Sequence, residues 1–124
     1  MGLDMYAYKT REQVVEYGFE TPLNSILIQQ WRKHPNLHGW MEQLYQRKVG
    51  FMSGSEMFNC ITLRLDLADI NALEQAVKND QLPETTGFFF GISRPEEKHL
   101  DLHFIEVARQ AINDGYTVFY GSWW

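Results

Sequence analysis

One cysteine, four prolines and no apolar run approaching the roughly 20 residues of a membrane-crossing helix set the first limits on this 124-residue chain. The lone Cys60 excludes an internal disulfide and a paired-cysteine metal site, and it suits a reducing compartment. An excess of positive charge is missing too: 11 Lys and Arg against 16 Asp and Glu leave a net charge of -5. That balance argues against general attraction to nucleic acid or to an anionic membrane. No basic start leads into an apolar signal segment, and Tyr6 stands where a myristoylation motif needs Ser or Thr. Repeats and low-complexity tracts are absent. The expectation is a cytoplasmic protein with a single globular domain over residues 1–124, without nucleic-acid or membrane partners.

Hydrophobic spacing carries the next step. Leu3 to Tyr8 alternates as a strand, with Leu3, Met5 and Ala7 on one side. Thr10 and Gln13 fit a capping box for a short helical turn through Val14, Val15 and Tyr17, stopped by Gly18. Ile26-Leu27-Ile28 leading to Trp31 reads as a strand. Pro35 then fixes a helix start, because proline lacks a backbone N–H and keeps His34 out of the helical conformation. From there Leu37, Trp40, Met41, Leu44 and Tyr45 form one apolar stripe before Gly50.

Phe58 to Leu65 alternates as a strand, and Asp66 caps a helix with Leu67, Ile70, Leu73 and Val77 on its buried side and Asn79-Asp80 at its end. Gly87 to Ile92, with three phenylalanines between glycines, predicts a strand buried on both faces at the centre of the sheet. Ser93 and Pro95 announce a third helix, in which Leu100, Phe104, Val107, Ala108, Ala111 and Ile112 keep helical spacing up to Gly115. Val118 to Trp123 closes the chain as a strand. The order predicts an α+β fold in two layers, a mixed or antiparallel sheet of about five strands with three helices.

The blocks Met1-Gly2-Leu3-Asp4-Met5-Tyr6, Trp31-Arg32-Lys33 with Asn36, His38 and Trp40, Leu82-Pro83, Thr86 to Gly91, and Phe119 to Trp123 resemble, in order, a family of small bacterial and tailed-phage proteins. That resemblance implies no established activity. The chain departs from the family pattern at Pro35, at Ile61-Thr62 and over 94–99, where an acidic, tyrosine-rich segment is usual.

Chemistry-bearing residues concentrate between Trp31 and Trp40. Arg32 and Lys33 precede a helix N-terminus, where unpaired N–H groups and the dipole favour an anion. With Asn36 and His38 they form a candidate site for a phosphate or carboxylate, and His38 with Asp4 is a candidate acid–base pair. Against this stands the simpler role of each as a structural partner, such as Arg32 or Lys33 for Asp4. His34 and His38 share the i, i+4 spacing of a zinc motif but lack its glutamate, and Pro35 sets His34 at the helix boundary. His99 and His103, with Asp101 and Glu106, fit an exposed polar face. Cys60 fits an inert strand thiol. No GxSxG, P-loop or GxGxxG pattern occurs, and no cofactor or metal ligand set is expected.

Two functions follow. One is a non-catalytic binding module that engages a protein partner through aromatic and arginine anchors. The other is a small enzyme or ligand-binding protein for an anionic metabolite at Arg32, Lys33 and His38. Trp124 is a candidate contact for a second copy in a homodimer.

Overall fold

The computed structural model describes residues 2–12, 17–18, 22, 24–49, 58, 60–87 and 90–124. Its elements are β1 (Asp4–Thr10), β2 (Tyr17–Gly18), β3 (Ile26–Arg32), α1 (Pro35–Val49), β4 (Thr62–Leu65), α2 (Leu67–Lys78), α3 (Glu97–Asn113) and β5 (Thr117–Trp123). The strands form one antiparallel sheet in the order β2-β4-β5-β1-β3. Among the described residues this is the α+β arrangement of five strands and three helices that the spacing predicts. Among the described residues no helix is long and apolar enough to cross a membrane.

The pleat decides which side of the sheet carries the helices. Met5, Ala7, Trp31, Leu63, Leu65, Val118 and Tyr120 are buried and alternate along their strands, so they share one face. Leu37, Met41, Leu44 and Tyr45 from α1, Ile70, Leu73 and Val77 from α2, and Phe104, Ala108 and Ala111 from α3 complete that core. On the other face Tyr8 stacks over Phe119 with ring centres 5.3 Å apart, and Tyr6 follows at 6.2 Å from Tyr8. The register pairs Asp4 with both Arg32 and Trp123, which puts all three on this second face.

Local signals explain most boundaries. α2 has a reciprocal capping box: the Asp69 N–H donates to Asp66 Oδ1 at 2.8 Å, and the Asp66 N–H donates to Asp69 Oδ2 at 3.0 Å. Pro35 is the first residue of α1, as its chemistry requires. Lys33 holds φ +54, a left-handed bend costly for a residue with a Cβ, and its N–H donates to Leu3 O at 2.8 Å. That bend turns the chain from β3 into α1.

Three expectations need correction. Gly87, Phe90, Gly91 and Ile92 are not strand, and the central strand is β5. Phe90 is buried against Trp124 and His38 while Ile92 is 83% exposed, so the segment packs through one ring rather than both faces of a ladder. Residues 88–89 lie outside the described residues. The strand expected from Phe58 is ordered as strand only over Thr62–Leu65, because Cys60 adopts φ +59 and breaks the extended run. The helical turn expected after Thr10 falls largely on residues 13–16, outside the described residues, and Tyr17–Gly18 is strand paired with β4.

Gly39 sits in α1 beneath Thr85, where an added Cβ would lie 2.9 Å from Thr85 Cβ and closer still to its hydroxyl. Alanine gains about 1 kcal/mol of helix preference, whereas overpacking costs about 1–3 kcal/mol. Gly39→Ala is therefore expected to lower the thermal midpoint by a few degrees, and adding Thr85→Gly should restore much of the loss. A single variant melting at or above wild type would contradict the close seat.

Candidate functional site

The residues that sequence spacing groups together separate in space. Arg32 is exposed beside Asp4 on the face away from the helices, whereas His38 is 0% exposed beneath the sheet. The two-residue pleat causes this split: Met5 and Trp31 face the core, so Asp4 and Arg32 face away from it. Asn36 Oδ1 accepts the Thr85 N–H at 3.0 Å and ties the 82–87 loop to α1. The Lys33 stem lies against Gly91. Neither the cavity at His34 nor those at Cys60 and at Trp124 is lined by Arg32 or His38.

A different histidine anchors the densest polar cluster. His34 is 3% exposed, and its Nε2 lies 2.8 Å from Asp101 Oδ2, while Asp101 Oδ1 accepts the Trp31 indole N–H at 3.0 Å. Its other ring nitrogen, Nδ1, lies 2.7 Å from Ser93 Oγ. That hydroxyl oxygen accepts the Asn36 backbone N–H at 3.0 Å. Ser93 thereby caps α1 from a distant segment, filling a role that the preceding histidine side chain does not serve. Buried carboxylates carry this much polar contact because an unpaired one would cost several kcal/mol.

The hydrogen pattern follows from the acceptors. Asp101 is acceptor-only when ionised, so the Nε2 that faces it carries the hydrogen in neutral His34. Nδ1 then has a free lone pair, and Ser93 O–H donates to it. The result is a chain Ser93 O–H to His34 Nδ1, His34 Nε2–H to Asp101, with Trp31 holding the far carboxylate oxygen. Glu97 Oε2 also lies 2.8 Å from His34 Nδ1, yet it makes no hydrogen bond among the described residues. A ring nitrogen has one in-plane direction to offer, and Ser93 occupies it. Burial pushes the Glu97 carboxyl above the usual range, opposed by the charge of His34.

His34, Ser93 and Asp101 line a cavity of about 290 Å³, together with Asn36, Arg94 and Lys98 and the apolar Val77, Leu82 and Pro95. No family model, curated protein or solved structure matches this chain. The likeness to small bacterial and tailed-phage proteins therefore rests on the sequence blocks alone. Among the described residues no group of three or more His, Cys, Asp or Glu is arranged to hold a metal ion.

Sequence spacing leaves His34 at a helix boundary, takes Ser93 as a helix start, passes over Glu97 and puts Asp101 on an exposed polar face, whereas Asp101 is 1% exposed because it pairs with Trp31 and His34. One signal was available: Glu97, Asp101, Phe104, Ala108 and Ala111 share a single helical track, so two carboxylates sit within the buried stripe of α3. Acidic residues on an otherwise apolar track imply buried partners.

His38 is a separate buried group. Its Nδ1 lies 2.8 Å from Tyr120 Oη, and the rings of Phe58, Phe90, Tyr120 and Trp124 surround it. Its Nε2 has no hydrogen-bond partner among the described residues. Burial lowers its pKa from 6.5 to about 4. Because the unfolded chain takes up this proton first, the stability from neutral His38 is complete above pH 6.5 and is lost as pH falls towards 4, a change of ~3 kcal/mol. Urea midpoints taken between pH 7 and 4 should fall less steeply for His38→Phe than for wild type. Equal slopes would show that His38 titrates alike in both states.

Proposed function

We propose that the cavity at His34 is the active site of a small serine-dependent hydrolase acting on esters. The observation that carries this reading is the hydrogen-bonded series Ser93–His34–Asp101, at 2.7 and 2.8 Å, opening on a cavity. A serine is a poor nucleophile unless a base takes its proton, and an imidazole works as that base when its second nitrogen is held by a carboxylate. Here Nδ1 serves the serine and Nε2 the aspartate, the reverse of the familiar serine-protease arrangement. Either nitrogen can accept the proton, since the carboxylate fixes the tautomer.

In the first step Ser93 Oγ bonds to the ester carbonyl carbon while its proton moves to His34 Nδ1. The alcohol then leaves with that proton, and an acyl ester remains on Ser93. Water repeats the sequence in reverse roles: its oxygen attacks the carbonyl, Nδ1 takes its proton and returns it to Ser93, and the carboxylic acid departs. The imidazolium formed in each step lies against Asp101 and 2.8 Å from Glu97, which both favour its charge. The Asn36 N–H at the positive end of α1 supports negative charge on Oγ.

A fluorophosphonate probe tests the site directly. Mass spectrometry is expected to find one adduct, on Ser93, formed at least about 100-fold more slowly in His34→Gln, in line with the loss of a positioned general base. Cleavage of 4-nitrophenyl esters should disappear in Ser93→Ala. An unlabelled Ser93, or ester cleavage equal in wild type and Ser93→Ala, would sink the hydrolase.

A second reading, a docking surface for a protein partner, is supported by the outer edge of the sheet. There β3 leaves Ile26 and Leu27 each 49% exposed, and on the open face of the sheet Trp123 of the central β5 is 67% exposed. Exposed edge strands and large aromatics are common anchors for a partner. Loss of a captured partner on Trp123→Ser would support it.

A further inference from the structure

The same cavity carries a cation that the acyl-transfer chemistry does not use. Resting on the hydrolase reading, we infer that Arg94 anchors a carboxylate on the substrate, so that the natural substrates are esters of short dicarboxylic acids.

Charges on the cavity wall differ in how far they are already committed. Asp101 is taken by Trp31 and His34. Lys98 reaches Asp80 Oδ1 at 3.1 Å and sits 3.5 Å from Lys78 O. Arg94 is exposed, lines the cavity, and its guanidinium has no hydrogen bond or ion pair among the described residues. Its charge reaches Glu97, whose carboxyl it draws downward, without a contact between them. Arg94 is therefore the cation that an incoming group meets unpaired, one residue beyond the nucleophile.

Guanidinium geometry selects the ligand. Its planar fork matches the two oxygens of a carboxylate, and the paired bonds fix orientation as well as distance. The same cavity wall carries the apolar Val77, Leu82 and Pro95, which suit a methylene spacer. A cavity of about 290 Å³ has room for on the order of ten non-hydrogen atoms, judged by the share of volume each water takes in the liquid. A carboxylate, a few methylenes and an ester carbonyl fit that volume.

The test compares two 4-nitrophenyl esters of equal chain length, the hemiglutarate and the pentanoate, with the enzyme-free rate subtracted and Ser93→Ala as control. Wild type is expected to favour the hemiglutarate in kcat/KM by about 10- to 100-fold, the worth of a charge-assisted pair. In Arg94→Gln that preference should fall below about 3-fold, while Arg94→Lys should keep part of it, as a point charge without the fork would. Circular dichroism melts confirm that each variant is folded, since Arg94 is exposed. Ser93-dependent cleavage without a hemiglutarate preference, or a preference retained in Arg94→Gln, overturns the anchor and leaves the hydrolase standing. Cleavage of neither ester, or cleavage indifferent to Ser93→Ala, overturns both.

Discussion

The buried carboxylate of Asp101 is the constraint on which the corner between sheet and helices depends. It accepts the Trp31 indole N–H and pairs with His34, so a single side chain on α3 fixes the end of β3 and the start of α1. Removing water from that carboxylate is costly, and its bonds offset the cost only when both partners are in place. Trp31 also meets Phe104 edge-on at 5.0 Å, so the polar bridge and the apolar contact share the same ring. Position of the helix, orientation of the indole and tautomer of the histidine are therefore one condition, not three.

From this bridge the arrangement spreads outward. His34 fixed by Asp101 offers Nδ1 to Ser93, Ser93 receives the Asn36 N–H, and Asn36 in turn receives the Thr85 N–H. Each bond satisfies a group at the N-terminus of α1 or on a loop that would otherwise lack a partner. The 82–87 loop approaches closely enough to do so because Gly39 has no Cβ to hold Thr85 away. Serine, histidine and aspartate are thus held by parts of the fold far apart in sequence, at positions 93, 34 and 101, and are brought together by packing.

That separation explains what could be read from the chain and what could not. Pro35, Asp66 and the apolar spacing of α1 and α2 act within a few residues, and the structure keeps the helix starts they imply. Strand order depends on which strands meet across the sheet, and the triple-phenylalanine segment, apolar enough for a central strand, lost that place to β5. Arg32 and His38 are six positions apart in sequence, yet the pleat and the Lys33 bend send them to opposite sides. Pro35 places His34 at a helix boundary, and that same boundary brings it to Asp101 of α3. No short motif could report a site whose three members lie in three segments.

A structural account of the same bridge would need Asp101, His34 and Trp31, and an apolar trio of similar volume often serves as well or better for stability alone. Ser93 adds nothing to that bridge through His34, since the helix N-terminus needs only an oxygen acceptor, which an aspartate or asparagine also supplies. A hydroxyl at this place does through a single atom what a carboxylate cannot: it accepts from Asn36 and still donates a proton to His34 Nδ1. Ser93 lines the cavity, with Asp101 on the far nitrogen of the imidazole and Glu97 beside the near one. Negative charge sits where an imidazolium would form, and the positive end of α1 sits where an alkoxide would form. This polarity runs in the direction of proton transfer from Ser93 to His34, which is the direction the proposed chemistry requires.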